Sequence, residues 1–239
     1  MRALIFDCDG VLVDTERDGH RVAFNQAFGR AGLAIEWDVE LYGELLRIAG
    51  GKERMRHYFE SHGWPAGVTD QDGFLAEMHK TKTAIFADLI ARGGLPLRAG
   101  VLRVIDEAIA ARVRLGVCTT SNPKSIDAVL DLMGPERKAK FEFVLAGDIV
   151  SRKKPDPAIY ELARQKLNLP ASDCIVIEDS RNGLLAAVGA GLPCFITTST
   201  YTVDEDFSGA VGIAPELGDP PRPSVSLKQL EALVRKSAA

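Results

Sequence analysis

The sequence holds no apolar run near the ~18 residues that a membrane-spanning helix needs, and Met1-Arg2-Ala3-Leu4-Ile5-Phe6 meets an acidic residue too soon for a secretory signal. No membrane partner is expected, and the expected compartment is the cytoplasm. Cysteine is scarce: Cys8, Cys118, Cys174 and Cys194 stand far apart, each in or beside a short apolar run and without CxxC spacing. That excludes a disulfide framework and a cysteine zinc site, leaving reduced core residues. No long basic run occurs either, and 29 Lys and Arg against 33 Asp and Glu give a net charge of −4, so nucleic acid is not an expected partner. Internal repeats and low-complexity tracts are also missing. What is present is 239 residues with 46% apolar side chains, enough for one large domain or a core with a smaller companion. A monomer is expected.

Short apolar runs rich in Val, Ile or Phe recur at Ala3 to Phe6, Leu115 to Cys118, Phe143 to Ala146, Cys174 to Ile177 and Cys194 to Ile196. Each is too short for a helix and reads as a strand buried on both faces. From Leu115 onward they alternate with helical stripes such as Ile126, Val129, Leu130, Met133 and then Ile159, Leu162, Ala163, Leu167, where Asp156 is a candidate N-cap with Pro157 in the first turn. Gly183, Ala186, Ala187 and Gly189 give the helix after Asp179 a small face suited to close packing on a sheet. This alternation predicts an α/β fold, a doubly wound parallel sheet with right-handed crossovers. The stretch from Thr15 to Arg92 breaks the rhythm, carrying the stripes Phe24, Ala27, Phe28, Ala31 and Leu75, Met78, Ile85, Leu89 but no strand. The expected domains are therefore a core of residues 1–14 and 95–239 and a helical insertion of residues 15–94, with Gly93-Gly94-Leu95-Pro96 as one hinge.

Ligands of an open parallel sheet bind outside the carboxyl ends of its strands. Those ends carry Asp7 and Asp9; Thr119, Thr120, Ser121 and Asn122; Asp148 with Arg152, Lys153 and Lys154; and Glu178 with Asp179. Four separate stretches thus bring the groups that phosphoryl transfer uses. In Asp7-Cys8-Asp9-Gly10 an extended chain sends both carboxylates to one side and Gly10 permits a sharp exit, so Asp7 could attack phosphorus while Asp9 handles protons. The plain alternative is a strand-to-turn junction, and Glu178-Asp179 could equally cap a helix. Together the acids form a hard oxygen donor set that suits Mg²⁺ and disfavours zinc. A lysine and hydroxyl donors are then needed around the phosphoryl group; Lys154 and Thr119 are candidates, with Lys153 a rival that spacing does not exclude.

Asp7-Cys8-Asp9-Gly10-Val11, the strand ending in Thr119, Gly147-Asp148…Lys154-Pro155-Asp156-Pro157 and Ile177-Glu178-Asp179-Ser180…Asn182-Gly183 resemble, in order, the four motifs of haloacid dehalogenase-superfamily phosphatases. The resemblance spans nearly the whole chain, helical cap included. It implies a phosphorylated Asp7, Asp9 as general acid and base, Thr119 on the phosphate, and Lys154 rather than Lys153 balancing charge. It also implies Mg²⁺ held by Asp7, Asp179 and the backbone carbonyl of Asp9, with Glu178 close by. Gly50-Gly51-Lys52-Glu53-Arg54-Met55 is similar to the cap of CbbY-type phosphatases, which implies a sugar bisphosphate such as xylulose 1,5-bisphosphate as substrate. Gly50 and Gly51 permit close backbone approach, while Lys52 and Arg54 could hold the phosphate that is not cleaved. Glu16 and His20 resemble substrate contacts of that cap, although His20 falls one residue later than in the family pattern. The remaining readings are a β-phosphoglucomutase-like mutase with the same chemistry, a dehalogenase, for which Asp9 has little purpose, and a receiver-like phospho-acceptor signalling module, against which the length and large insertion stand.

Overall fold

The structure, a computed structural model, describes residues 1–92, 94–222 and 224–237. Six parallel strands form one sheet in the order β3-β2-β1-β4-β5-β6: β1 (Ala3–Phe6), β2 (Arg114–Cys118), β3 (Phe141–Leu145), β4 (Cys174–Glu178), β5 (Cys194–Thr197) and β6 (Gly212–Ala214). The chain runs outward from β1 to β3, then returns to lay β4 against the other side of β1. This reversal opens a crevice at the carboxyl ends of β1 and β4, where such sheets bind ligands. Phe6 is paired with both Val117 and Ile177, so Asp7, Thr119 and Asp179 leave the sheet at nearly the same level.

Side-chain alternation divides the core between the two faces. Leu4 and Phe6 point toward α5 (Val101–Ala110), α6 (Pro123–Asp131) and α10 (Leu227–Ser237), whereas Ala3 and Ile5 join the cluster under α8 (Ala158–Leu167) and α9 (Arg181–Gly189). Strands β1, β4 and β5 are buried along their whole length, as the apolar runs require. Strand β3 departs from that expectation: Glu142 and Val144 are exposed, because β3 is an edge strand with one neighbour. The sixth strand was not anticipated, being three residues long with Ile213 exposed. All four cysteines are buried and unpaired.

Local chemistry starts the helices that shape the crevice. The Asn122 side chain accepts from Lys124 N and Pro123 occupies the first turn of α6, while the Ser180 side chain accepts from Gly183 N at the start of α9. Helix α8 begins one residue later than expected: Pro157 takes the cap position, and the Asp156 carboxylate accepts from Ala158 N at 3.0 Å.

Between β1 and β2 lie α1 (Arg21–Arg30), α2 (Val39–Leu45), α3 (Gly51–His62) and α4 (Gln71–Ala91), with no strand among the described residues. Their contacts centre on an aromatic cluster in which Trp37 meets Phe24, Phe28, Tyr42 and Tyr58 at ring-centroid distances of 4.8–5.9 Å. Of the expected hinge, Gly93 lies outside the described residues. None of the described helices is long and apolar enough to cross a membrane.

Candidate active site

A cavity of about 310 Å³ lies between the strand ends and the inserted helices. Asp7, Asp9, Glu16, His20, Gly50, Gly51, Arg54, Thr119, Thr120, Ser121, Asn122, Lys154, Glu178 and Asp179 all line it. All the residues given a catalytic, metal-binding or substrate-binding role from the sequence are thus brought to one place except Lys52, while the strand-end residues Asp148, Arg152 and Lys153 also lie outside this lining. Lys52 instead donates to Asp148 Oδ2 at 2.5 Å in a smaller neighbouring cavity, where Lys153 donates to the other carboxylate oxygen at 2.8 Å. The two lysines hold the Asp148 carboxyl near the bottom of the usual range, at about 2.

On the sheet side, the Lys154 ammonium donates to Asp7 Oδ1 at 2.7 Å, Glu178 Oε1 at 2.5 Å and the Cys118 carbonyl at 2.9 Å. Lys153 has no place in this group, since its ammonium goes to Asp148 and the Gly147 carbonyl. The Tyr160 hydroxyl also donates to Glu178 Oε1. Two glycines allow this density. A Cβ on Gly183 would lie 2.0 Å from Glu178 Oε2, and one on Gly10, whose φ is +78°, would lie 2.0 Å from Asp179 Oδ2. Glu178 and Asp179 do not cap α9; Ser180 does, which leaves both acids free to face the cavity.

Ligand oxygens of Asp7, Glu178 and Asp179 lie within 4.8 Å of one another. Burial and the neighbouring Glu178 push both Asp7 and Asp179 well above the usual carboxylate range, although Lys154 opposes this at Asp7. Three buried carboxyl groups face one buried ammonium, so full ionisation leaves two negative charges uncompensated. A divalent cation with a preference for hard oxygen ligands fits that deficit and that donor set.

Asp9 lives in a different environment. His20 Nε2 lies 2.8 Å from Asp9 Oδ1, and the Thr15 and Ser121 hydroxyls donate to the same carboxylate. Burial alone would raise this carboxyl, but His20, Ser121 and Thr15 outweigh it and hold Asp9 far below the ordinary range, as an ionised carboxylate. His20 reaches Asp9 through a feature that spacing did not reveal. Glu16–His20 is a π-helical turn closed by Arg21 N–H on the Glu16 carbonyl, and such a turn absorbs one extra residue. Such a turn has room for the one-residue displacement of His20 that the resemblance implies.

The helical wall adds residues that the sequence did not single out. Lys82 is buried on α4 over the Phe24 and Phe86 rings and bonds His20 Nδ1 at 2.7 Å. Burial lowers its pKa to about 8 despite the nearby Glu16 and Asp9. As an ammonium it donates to Nδ1, which leaves Nε2 to carry the hydrogen toward Asp9. The available cue was a lysine spaced four residues from Met78 and Phe86 on an otherwise apolar stripe. Tyr42 donates to Glu16 Oε2 at 2.5 Å, and Arg54 donates to Tyr42 Oη and to the carbonyls of Leu45 and Ile48.

The haloacid dehalogenase-like hydrolase family model matches residues 1–191. The chain belongs to that family. It is 49% identical over 239 residues to a CBBY-like protein of Arabidopsis thaliana, covering 98% of this chain and 75% of that one. Among solved structures, CbbY from Rhodobacter sphaeroides in complex with phosphate superposes with a TM-score of 0.87 at 38% identity, covering 97% of this chain and 99% of the other. An Asp-to-Asn variant of that CbbY was solved with xylulose 1,5-bisphosphate. A β-phosphoglucomutase from Clostridium difficile shares the fold, with a TM-score of 0.78 at 19% identity over 100% of this chain and 99% of its own. The chain is therefore a phosphatase of the CbbY-like branch of haloacid dehalogenase-like hydrolases. The receiver-like reading gives way to this membership.

Proposed function

We propose that the chain hydrolyses a small sugar bisphosphate of the xylulose 1,5-bisphosphate type, in a Mg²⁺-dependent reaction that passes through an aspartyl-phosphate at Asp7. The observation that carries this reading is the presence, in one cavity, of two carboxyl groups with different partners: Asp7 bonded to Lys154 beside Glu178 and Asp179, and Asp9 bonded to His20 and the Thr15 and Ser121 hydroxyls. Separation of that kind assigns different tasks to two like groups.

An Asp7 carboxylate oxygen forms a bond to phosphorus as the bond from phosphorus to the sugar oxygen breaks. The departing oxygen takes a proton from Asp9. Since Asp9 rests as a carboxylate, it must first gain that proton, which His20 Nε2 can pass across 2.8 Å as Nδ1 takes one up from the Lys82 ammonium at 2.7 Å. Asp9 then accepts a proton from the water that attacks phosphorus, and the bond between phosphorus and Asp7 breaks to release phosphate. Lys154 and the Thr119 hydroxyl face the transferring group, where cationic and hydroxyl donors stabilise its charge. Mg²⁺ would be held by Asp7, Asp179 and the main-chain carbonyl of Asp9, with Glu178 beside it, and would supply neutralisation of phosphoryl charge.

Residues 15–94 act in this reading as a cap that closes the cavity and excludes bulk water. Glu16, His20, Gly50, Gly51, Arg54, Thr120, Ser121 and Asn122 form its lining for the sugar. Support for a phosphatase over a mutase comes from the CbbY relatives, since the likeness to β-phosphoglucomutase is one of fold. A phosphate-release panel tests the proposal, using xylulose 1,5-bisphosphate, ribulose 1,5-bisphosphate, β-glucose 1-phosphate and simple monophosphates with Mg²⁺ or with chelator. A pentulose bisphosphate is expected to be the preferred substrate, with release lost on chelation. Glucose 6-phosphate formation from β-glucose 1-phosphate in preference to phosphate release would replace the proposal by the mutase reading.

A further inference from the structure

A second phosphate on the substrate brings negative charge that some cation of the cavity must meet. Most are already committed. Lys154 sits between Asp7 and Glu178, Lys82 is bonded to His20, and Lys52 is turned away to Asp148. Arg54 is buried and donates to two backbone carbonyls and a tyrosine hydroxyl, so drawing its guanidinium toward a ligand would strip buried acceptors of their donors. That loss would cancel much of what the ligand gains.

Arg47 differs from all of these. It lies between α2 and α3, lines the cavity, and is exposed, and no described residue forms a hydrogen bond or ion pair with its guanidinium. Its main chain is nevertheless tied across the seam, where Asn182 Nδ2 donates to its carbonyl at 3.5 Å beside the start of α9. One end of the residue is thus fixed to the sheet side and the charged end is free. A guanidinium fork can bind a phosphate through two parallel N–H donors without breaking any existing contact.

We infer that Arg47 is the specificity-determining residue that engages the uncleaved phosphate of the bisphosphate, a role its guanidinium can take at the cavity mouth where Lys52 cannot. The inference rests on the bisphosphate reading above. Replacement of an exposed, unpaired side chain removes no internal bond, so variants at this position are expected to fold.

The test is the ratio of kcat/KM for a pentulose 1,5-bisphosphate to kcat/KM for the matching pentulose 1-phosphate. Wild type is expected to favour the bisphosphate, Arg47→Gln to lower the ratio about tenfold, and Arg47→Lys to restore most of it, since a charged hydrogen bond contributes about that much. Arg30→Gln, an exposed change remote from the cavity, is expected to leave the ratio as it is. A wild type that prefers the bisphosphate with Arg47→Gln keeping the full preference overturns the role of Arg47 alone. A wild type without any preference overturns the bisphosphate reading and the role of Arg47 together.

Discussion

On the sheet side of the cavity, Asp7, Thr119, Glu178 and Asp179 are each the last residue of a strand or the one after it, so the register that pairs Phe6 with Val117 and Ile177 also sets the spacing among them. On the helical side, Glu16 and His20 come from a π-helical turn and Lys82 from the middle of a long helix, and they meet because α1 packs on α4. Backbone pairing fixes the first group. Side-chain packing places the second, around an aromatic cluster with Trp37 at its centre. The difference predicts that damage to the sheet side costs both fold and chemistry, whereas damage to the helical side mainly detunes the chemistry.

The largest effect is expected from Lys154→Met. It removes the one ammonium among three buried carboxyl groups and should cost about 3–5 kcal/mol of unfolding free energy in a denaturant titration, together with turnover. A variant as stable as wild type would show that the acids do not depend on Lys154 for balance. Lys82→Met should fold well and lower kcat about tenfold with little change in KM, because His20 loses the donor that fixes its tautomer. An equal change in KM would point to a binding role instead.

The same variant tests the proton linkage. The folded pKa of Lys82 is about 8 against 10.5 for a free lysine, so between those values the unfolded chain keeps a proton that the folded chain has lost. Stability therefore rises with pH across that window, and wild type should gain on Lys82→Met between pH 8 and 10. The smallest effect is expected from Lys52→Ala. Its partner Asp148 has a side chain 62% exposed, and such pairs contribute within about 1 kcal/mol, so KM should change less than about threefold. A tenfold change would mean that closure of the helices over the sheet depends on this one seam contact.

The same contrast explains what could be read in the sequence. The strand-end residues were legible because a short apolar run ending in an acid, a Thr or an acidic pair is a local pattern. Edge strand β3 and the three-residue β6 were less so, since Glu142 interrupts one and Ile213 of the other faces solvent. On the helical side, the Gly50-Gly51-Lys52 spacing drew attention to Lys52, yet its side chain bonds Asp148 and Arg47 lines the cavity instead. Neither direction can be read without knowing how α2, α3 and the loop after β3 meet. Choosing between Lys153 and Lys154 has the same origin, because adjacent residues point to different cavities.

Covalent chemistry at Asp7 can be caught by quenching the enzyme in acid during turnover and mapping any phosphoryl adduct by peptide mass spectrometry. An adduct is expected on the peptide that carries Asp7, appearing and decaying with substrate consumption and missing from Asp7→Asn, which should also lose at least about 10³-fold in kcat. Wild-type turnover by Asp7→Asn, or an adduct confined to another residue, would contradict it.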